Sequence, residues 1–112
     1  MCNVLLLRAD QWRSWNCYGG GVNQTKMTAT MDRMAERTRM VGGKPTSLLE
    51  LGYNNVGLDD NWQMCGTLNG QRAFHDVDGR PLINKKTFPS MSDMNAHGHG
   101  LGLRVGWCEL PA

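Results

Sequence analysis

The sequence is poor in the residues that usually build a hydrophobic core. Leu, Ile, Val and Phe together number 21 of 112 residues, and there is a single Ile. That share lies near the roughly 20% below which disorder becomes an alternative. Eight Met, four Trp and a formal charge of only +2 favour a folded chain instead. We therefore expect a folded sequence with a thin core.

Long apolar runs and clusters of basic residues are also absent. The apolar stretch at 4–7 has four residues, whereas a membrane span needs about 18 and a signal peptide core about 7–15. The basic residues are scattered, and the small net charge argues against an electrostatic nucleic-acid binder. We expect no signal peptide in this chain, no membrane partner and no nucleic-acid partner.

The four cysteines, at positions 2, 17, 65 and 108, form no CxxC pair. A disulfide or plain thiols both fit this spacing better than a metal site does. The alternative is a metal site made from His75, His97, His99 and Cys108. It is the weaker interpretation, because a protonated His near a helix end is favoured by the helix dipole. We expect no metal and no cofactor.

The first half of the chain predicts a strand, a helix and a second strand. The apolar run 4–7 is too short to classify alone, and residues 10–22 are interpreted as a strand end followed by a loop. Met27, Met31 and Met34 recur at helical spacing and are interpreted as core, which predicts a helix over about 24–40. Asn23 or Thr25 is its expected N-cap, and Gly42-Gly43 its expected end. After a helical turn stopped by Gly52, a strand is predicted over 53–58.

The second half of the chain predicts a long connecting segment, a helix and a third strand. Asp78-Gly79 is a hairpin signal within residues 63–89. Ser90 or Ser92 caps a helix to about 97, which Gly98 and Gly100 are expected to end, and a strand follows over 101–107. Strands separated by helices predict a parallel sheet. Two helices cannot cover both of its faces, which agrees with the thin core.

The candidate site lies where the predicted strands end. Asp59 and Asp60 close the second strand, and Trp15 follows the first. Carboxylates accept hydrogen bonds from sugar hydroxyls, and an aromatic face packs on the apolar side of a pyranose ring. Asp59 and Asp60 can face one ligand only if the backbone turns there, because side chains alternate along a strand. Taken alone, such an Asp pair is more often a solvated turn.

Four motifs together resemble the start of a melibiase-type α-galactosidase, over residues 8–107. In that family the corresponding stretches are Gly-Trp-x-Ser-Trp-Asn, Leu-Gly-Tyr…Asp-Asp-x-Trp, Phe-Pro and Gly-Leu-x-Leu-Gly. In this chain they are Trp12-Arg13-Ser14-Trp15-Asn16, Leu51-Gly52-Tyr53 with Asp59-Asp60-Asn61-Trp62, Phe88-Pro89, and Gly100-Leu101-Gly102-Leu103-Arg104-Val105-Gly106.

The resemblance implies an α/β fold, with residues 1–112 forming the β-α-β-α-β beginning of a (β/α)₈ barrel that is truncated after its third strand. It implies hydrolysis of terminal α-galactosyl residues with retention, with Trp15, Asp59 and Asp60 lining the galactose pocket. Retention needs two further carboxyl groups about 5–5.5 Å apart. In the family these follow the fourth and sixth strands, so we assign no catalytic residue in this chain and expect it to be inactive alone.

Two alternatives stay open, an α-N-acetylgalactosaminidase on the same scaffold and a non-catalytic sugar-binding fragment. The resemblance implies an α-galactoside oligosaccharide or glycoconjugate as the partner, a secreted, vacuolar or lysosomal location, and it allows a homodimeric parent enzyme.

The chain departs from the family at two places. Ala9-Asp10-Gln11 stands where Pro-Met-Gly is usual. Many members have a disulfide between the loops after the first two strands, and here Asn61 and about Gly20 occupy its positions. Cys17 and Cys65 lie in the same two loops, so we predict a Cys17–Cys65 disulfide as a displaced equivalent.

Overall fold

Three short parallel strands form the centre of the structure, a computed structural model that describes residues 11–64, 66–68 and 71–108. The strands of the described residues are Gln11–Arg13 (β1), Arg39–Val41 (β2), Lys44–Thr46 (β3), Asn55–Leu58 (β4), Gly66–Leu68 (β5), Gln71–Ala73 (β6) and Arg104–Trp107 (β7). The helices are Trp15–Tyr18 (α1), Gln24–Ala35 (α2) and Met91–Gly100 (α3), with a 3₁₀ turn at Gly19–Gly21.

The central sheet has the order β1-β4-β7, and both pairings are parallel. The predicted alternation of strands and helices is therefore confirmed as an α/β unit with a parallel sheet. The second and third strands are shorter than the predicted 53–58 and 101–107. The apolar run 4–7 lies outside the described residues.

The two faces of the sheet carry different rows of residues. Trp12, Val56 and Val105 are aligned across the three strands, and all three belong to or pack against the hydrophobic core. The next aligned row consists of Arg13, Gly57 and Gly106. Because successive residues of a strand point to opposite faces, this second row lies on the face away from the core.

Methionine fills much of the core. The Met stripe of α2 is buried as predicted, and α3 adds two further buried Met side chains. A methionine side chain is unbranched and adapts to irregular gaps. The core cluster consists of Val22, Met27, Met31, Met34, Val56, Leu58, Trp62, Phe88, Met91, Met94 and Leu103.

Helix α2 begins as predicted but ends early. The Asn23 side chain accepts a hydrogen bond from the Lys26 amide at 2.8 Å, which caps the first turn. The predicted extension to residue 40 is wrong, since β2 and β3 form a hairpin there. Gly42 and Gly43 have φ of 57° and 77° and are the two residues between its strands. Two successive positive φ angles fit a tight hairpin loop, so this Gly pair is a hairpin turn and not a helix end.

Helix α3 is capped by Ser90, whose hydroxyl accepts from the Asp93 amide at 3.2 Å. The prediction that Gly98 ends this helix is wrong, because the helix continues to Gly100, which is its last residue as predicted. Gly98 is buried, and a Cβ placed there would lie 2.4 Å from Cγ2 of Val105. The absence of a side chain at Gly98 thus allows α3 to lie close to β7.

Two turns behave as the sequence indicates. Gly52 has φ of 100° and stops the helical turn before β4. At the Asp78-Gly79 signal, Gly79 has φ of 79°, and the Asp76 amide donates to the Arg80 carbonyl at 2.8 Å. The β5–β6 hairpin beside it was not predicted, and the predicted loop after β1 is instead helix α1 with the 3₁₀ turn.

No helix in the described ranges is long and apolar enough to span a membrane.

Candidate functional site

Ser14 joins the carboxyl ends of β1 and β4. Its amide donates to the Gly57 carbonyl at 3.1 Å, and its hydroxyl accepts from the Asp59 amide at 2.9 Å. Ser14 is only 1% exposed. A buried hydroxyl with a satisfied hydrogen bond keeps these two strand ends in a fixed relation.

The Asp59 carboxylate is held by three donors from β1 and α1. One oxygen accepts from Nε of Arg13 at 2.9 Å and also from Nη2 of the same guanidinium. The other oxygen accepts from the backbone amide of Trp15 at 3.1 Å. The side chains of Arg13 and Asp59 are 36% and 15% exposed, so this is a partly buried ion pair. Because Arg13 holds one oxygen and the Trp15 amide holds the other, the carboxylate is fixed in orientation as well as in position.

The structure therefore brings the backbone of Trp15 to the Asp59 carboxylate, and the role of both residues in a sugar pocket stays a prediction. Trp15 begins helix α1, its amide contacts Asp59, and its side chain is 51% exposed. An exposed indole on a residue whose backbone amide binds a carboxylate has the chemical components of a sugar site.

The chain also turns directly after β4. The strand ends at Leu58, and Asn61 has a left-handed φ of 73°. The backbone condition for Asp59 and Asp60 to serve one ligand is thus present. Asp60 is half-buried, and no hydrogen bond or ion pair of its side chain is found in the part of the chain that the structure describes.

Trp62 belongs to the core and not to the open site. It is 2% exposed, and its Nε1 donates to the Cys108 carbonyl at 2.6 Å. The Cys108 amide in turn donates to the Leu58 carbonyl at 2.9 Å. Trp62 therefore fixes the end of β4 against the end of β7 while the exposed Trp15 faces solvent.

Sequence reasoning missed Arg13 and Gly57. A Cβ added to Gly57 would lie 2.7 Å from Nη1 and 3.0 Å from Cδ of Arg13, so the guanidinium crosses the strand where a side chain is missing. The available signal was a glycine inside a buried strand, which often marks the close approach of another group.

The predicted Cys17–Cys65 disulfide needs correction. Cys17 is a free, exposed thiol, and Cys65 lies outside the described residues. Cys108 is disulfide-bonded. A Cβ at Gly20 would lie 2.8 Å from Nδ2 of Asn61, so the two positions where the family places its disulfide are neighbours here, without cysteines.

The alternative metal site is not assembled. Within residues 11–64, 66–68 and 71–108, no three His, Cys, Asp or Glu side chains come together in a way that could hold a metal ion. His97 instead contacts Asp32, with 2.6 Å between Nε2 and Oδ1. This pair links α3 to α2.

Comparisons with known proteins agree with the motifs. An α-galactosidase from Cyamopsis tetragonoloba is 31% identical over 96 residues, which cover 85% of this chain and 19% of that protein. The crystal structure of α-galactosidase I from Mortierella vinacea superposes with a TM-score of 0.67 at 26% identity, covering 87% of this chain and 20% of the other. The chain fits the melibiase-type α-galactosidase family.

One structural neighbour carries a different assigned specificity. A provisionally assigned α-N-acetylgalactosaminidase from Bacillus halodurans superposes with a TM-score of 0.65 at 25% identity, covering 87% of this chain and 22% of the other. No protein-family model matches the sequence. The chain spans about a fifth of the length of the curated α-galactosidases that it matches.

Proposed function

We propose that this chain supplies part of the galactose pocket of an α-galactosidase-type glycoside hydrolase that acts with retention of configuration. The observation that carries the proposal is the contact between the Trp15 amide and the Asp59 carboxylate. It places an exposed indole and a carboxylate at the same end of the sheet. The substrate is an α-galactoside oligosaccharide or glycoconjugate, with the Trp15 ring on the apolar face of the sugar and Asp59 and Asp60 accepting its hydroxyls.

We further propose that the three parallel strands and the helices α2 and α3 are the beginning of a (β/α)₈ barrel. The order β1-β4-β7, with α2 and α3 in the two crossovers, supports this assignment. The nucleophile and the acid/base of a retaining glycosidase are two carboxyl groups about 5–5.5 Å apart. We assign neither role to Asp59 or Asp60, because adjacent residues at one strand end do not flank a scissile bond from two sides.

Galactose binding by the 112-residue chain tests the pocket. We expect weak binding in a titration followed by ¹H–¹⁵N NMR, with shifts at Trp15 and Asp60. Trp15→Ala should abolish these shifts, because it removes the surface on which the ring packs. Phe74→Ala is the matched control. Phe74 is an aromatic residue of similar exposure, 49%, but it belongs to the segment beside the hairpin turn at residues 76–80 and not to the proposed pocket. Equal losses in both variants would contradict the proposed pocket.

Hydrolysis is tested separately. The 112 residues alone should release no product from an aryl α-galactoside, because the two catalytic carboxyl groups are proposed to lie on other strands. Turnover with retention, abolished by Asp60→Asn, would overturn that assignment.

The second candidate function is an α-N-acetylgalactosaminidase, which the Bacillus halodurans neighbour favours. A parallel titration with N-acetylgalactosamine distinguishes the two. Tighter binding of the acetamido sugar than of galactose would favour this second function.

A further inference from the structure

Arg13 occupies an unusual place for a charged side chain. It extends from β1 across Gly57 of β4, on the face of the sheet away from the core, and ends at the Asp59 carboxylate. Gly106, the next glycine in the same row, has no atom within 4 Å of an added Cβ. The close approach is therefore specific to Gly57, and the glycine there makes room for the guanidinium.

The contacts of Asp59 limit what else this carboxylate can bind. A carboxylate offers about four acceptor positions. Arg13 takes two of them through Nε and Nη2, and the Trp15 amide takes a third. One position is left for a sugar hydroxyl, on the oxygen that faces the Trp15 amide. Asp60 has no such contacts within the described residues.

We propose that Arg13 is a positioning residue, which fixes Asp59 as a support of the sugar site and leaves Asp60 as its principal hydroxyl acceptor. We call the contacts of Arg13 and the Trp15 amide with Asp59 the Asp59 clamp. This inference rests on the proposed function and divides the roles of the two carboxylates within it.

The Asp59 clamp is tested first without sugar. In the full 112-residue chain, the Nε–H of Arg13 should exchange slowly with water, because it donates to a partly buried carboxylate. Gly57→Ala should make this exchange fast, since the added methyl displaces the guanidinium without altering any charge. Gly106→Ala is the matched control and should leave the exchange unchanged. Equal exchange in Gly57→Ala and the unaltered chain would overturn the clamp.

Galactose titrations then test the division of roles. Asp60→Asn should weaken binding more than about tenfold and Asp59→Asn by less, because a hydroxyl acceptor with several free positions contributes more than one with a single position. A larger loss from Asp59→Asn than from Asp60→Asn would overturn the inference.

A double-mutant cycle shows whether Arg13 acts through Asp59. Arg13→Met should weaken galactose binding about fivefold, and Arg13→Lys should restore part of the loss. In the Asp59→Asn background, Arg13→Met should have no further effect. An undiminished effect there would mean that Arg13 contacts the sugar itself, which refutes a positioning role. If the unaltered chain binds no galactose while the Nε–H of Arg13 exchanges slowly, the proposed function and the division of roles fail, and the clamp stands as a purely structural contact.

Discussion

Gly98 offers a sharp test of how α3 is placed against β7 and α2. A Cβ at this position would lie 2.4 Å from Cγ2 of Val105 and 3.2 Å from Sδ of Met31. Carbon atoms in favourable contact are about 3.5–4.0 Å apart, so the overlap with Val105 exceeds about 1 Å. Met31 can move aside because its side chain is flexible, but a β-branched Val has few alternative rotamers. The Gly98→Ala change therefore forces α3 away from the sheet.

The expected magnitude follows from two opposing effects. Overpacking of a core costs about 1–3 kcal/mol, and replacing a helical Gly with Ala gains up to about 1 kcal/mol. Since the overlap is with a stiff side chain, we place the packing cost near the upper end and expect a net loss of about 2 kcal/mol for Gly98→Ala. For a chain of this size that corresponds to a fall in Tm of roughly 10 °C.

Gly100 provides the control within the same helix. It is exposed, and an added Cβ there has no atom within 4 Å. Gly100→Ala should therefore leave stability unchanged or raise it by up to about 1 kcal/mol. Thermal and urea unfolding followed by circular dichroism at 222 nm measures both variants. A Gly98→Ala chain as stable as Gly100→Ala would refute the close contact between α3 and β7.

Three further predictions concern the cap, the core and the loops. Ser90→Ala should cost about 1 kcal/mol in urea unfolding, because the hydroxyl caps α3, whereas Ser92→Ala should cost less than about 0.5 kcal/mol; equal costs would contradict the assigned cap. Phe88→Ala should lose about 3–5 kcal/mol or fail to fold, since Phe88 is 0% exposed; a loss below about 1 kcal/mol would contradict its burial. The double variant Gly20→Cys with Asn61→Cys should form a disulfide between the two new cysteines, because a Cβ added at Gly20 lies 3.7 Å from Cγ of Asn61. Peptide mapping by mass spectrometry under non-reducing conditions detects it, and free thiols at both positions after oxidation would contradict the proximity.

The arrangement of the parallel unit could be predicted because its signals are local and repeated. Met27, Met31 and Met34 share one face of a helix at the expected spacing, and all are buried. When helices alternate with strands along the chain, few topologies are possible. The parallel pairing of the strands therefore followed from the order of the elements. These inferences needed only periodicity and chain connectivity.

The ends of the elements were predicted less well, for a physical reason. A glycine stops a helix, forms a hairpin turn or permits a close contact, and its identity alone does not distinguish these roles. Gly42 and Gly43 turn a hairpin, while Gly98 continues a helix because its missing side chain is needed against Val105. Which role applies depends on residues distant in sequence, which local patterns do not contain.

In the candidate site, too, some features could be predicted from the sequence and others could not. Trp15 and Asp59 were identified from residue types and motifs, and the structure brings them together through a backbone amide. The part played by Arg13 could not be inferred, because it depends on the register that aligns this residue with Gly57. Register between parallel strands 40 or more residues apart in the chain is set by tertiary packing and is not encoded in a short motif.

The scarcity of Leu, Ile, Val and Phe has a further consequence. Five of the eleven core residues are methionine, which adapts to gaps and therefore specifies the position of its neighbours only weakly. Helix α3 needs other contacts to fix its place, and the structure has them at both ends. At its start the Ser90 amide donates to Oε1 of Gln24 at 2.9 Å, which ties it to α2. Near its end the backbone at Gly98 lies against Val105. We infer that these two contacts, together with the His97–Asp32 pair between α3 and α2, determine how α3 lies on the sheet more than the shapes of the buried Met side chains do.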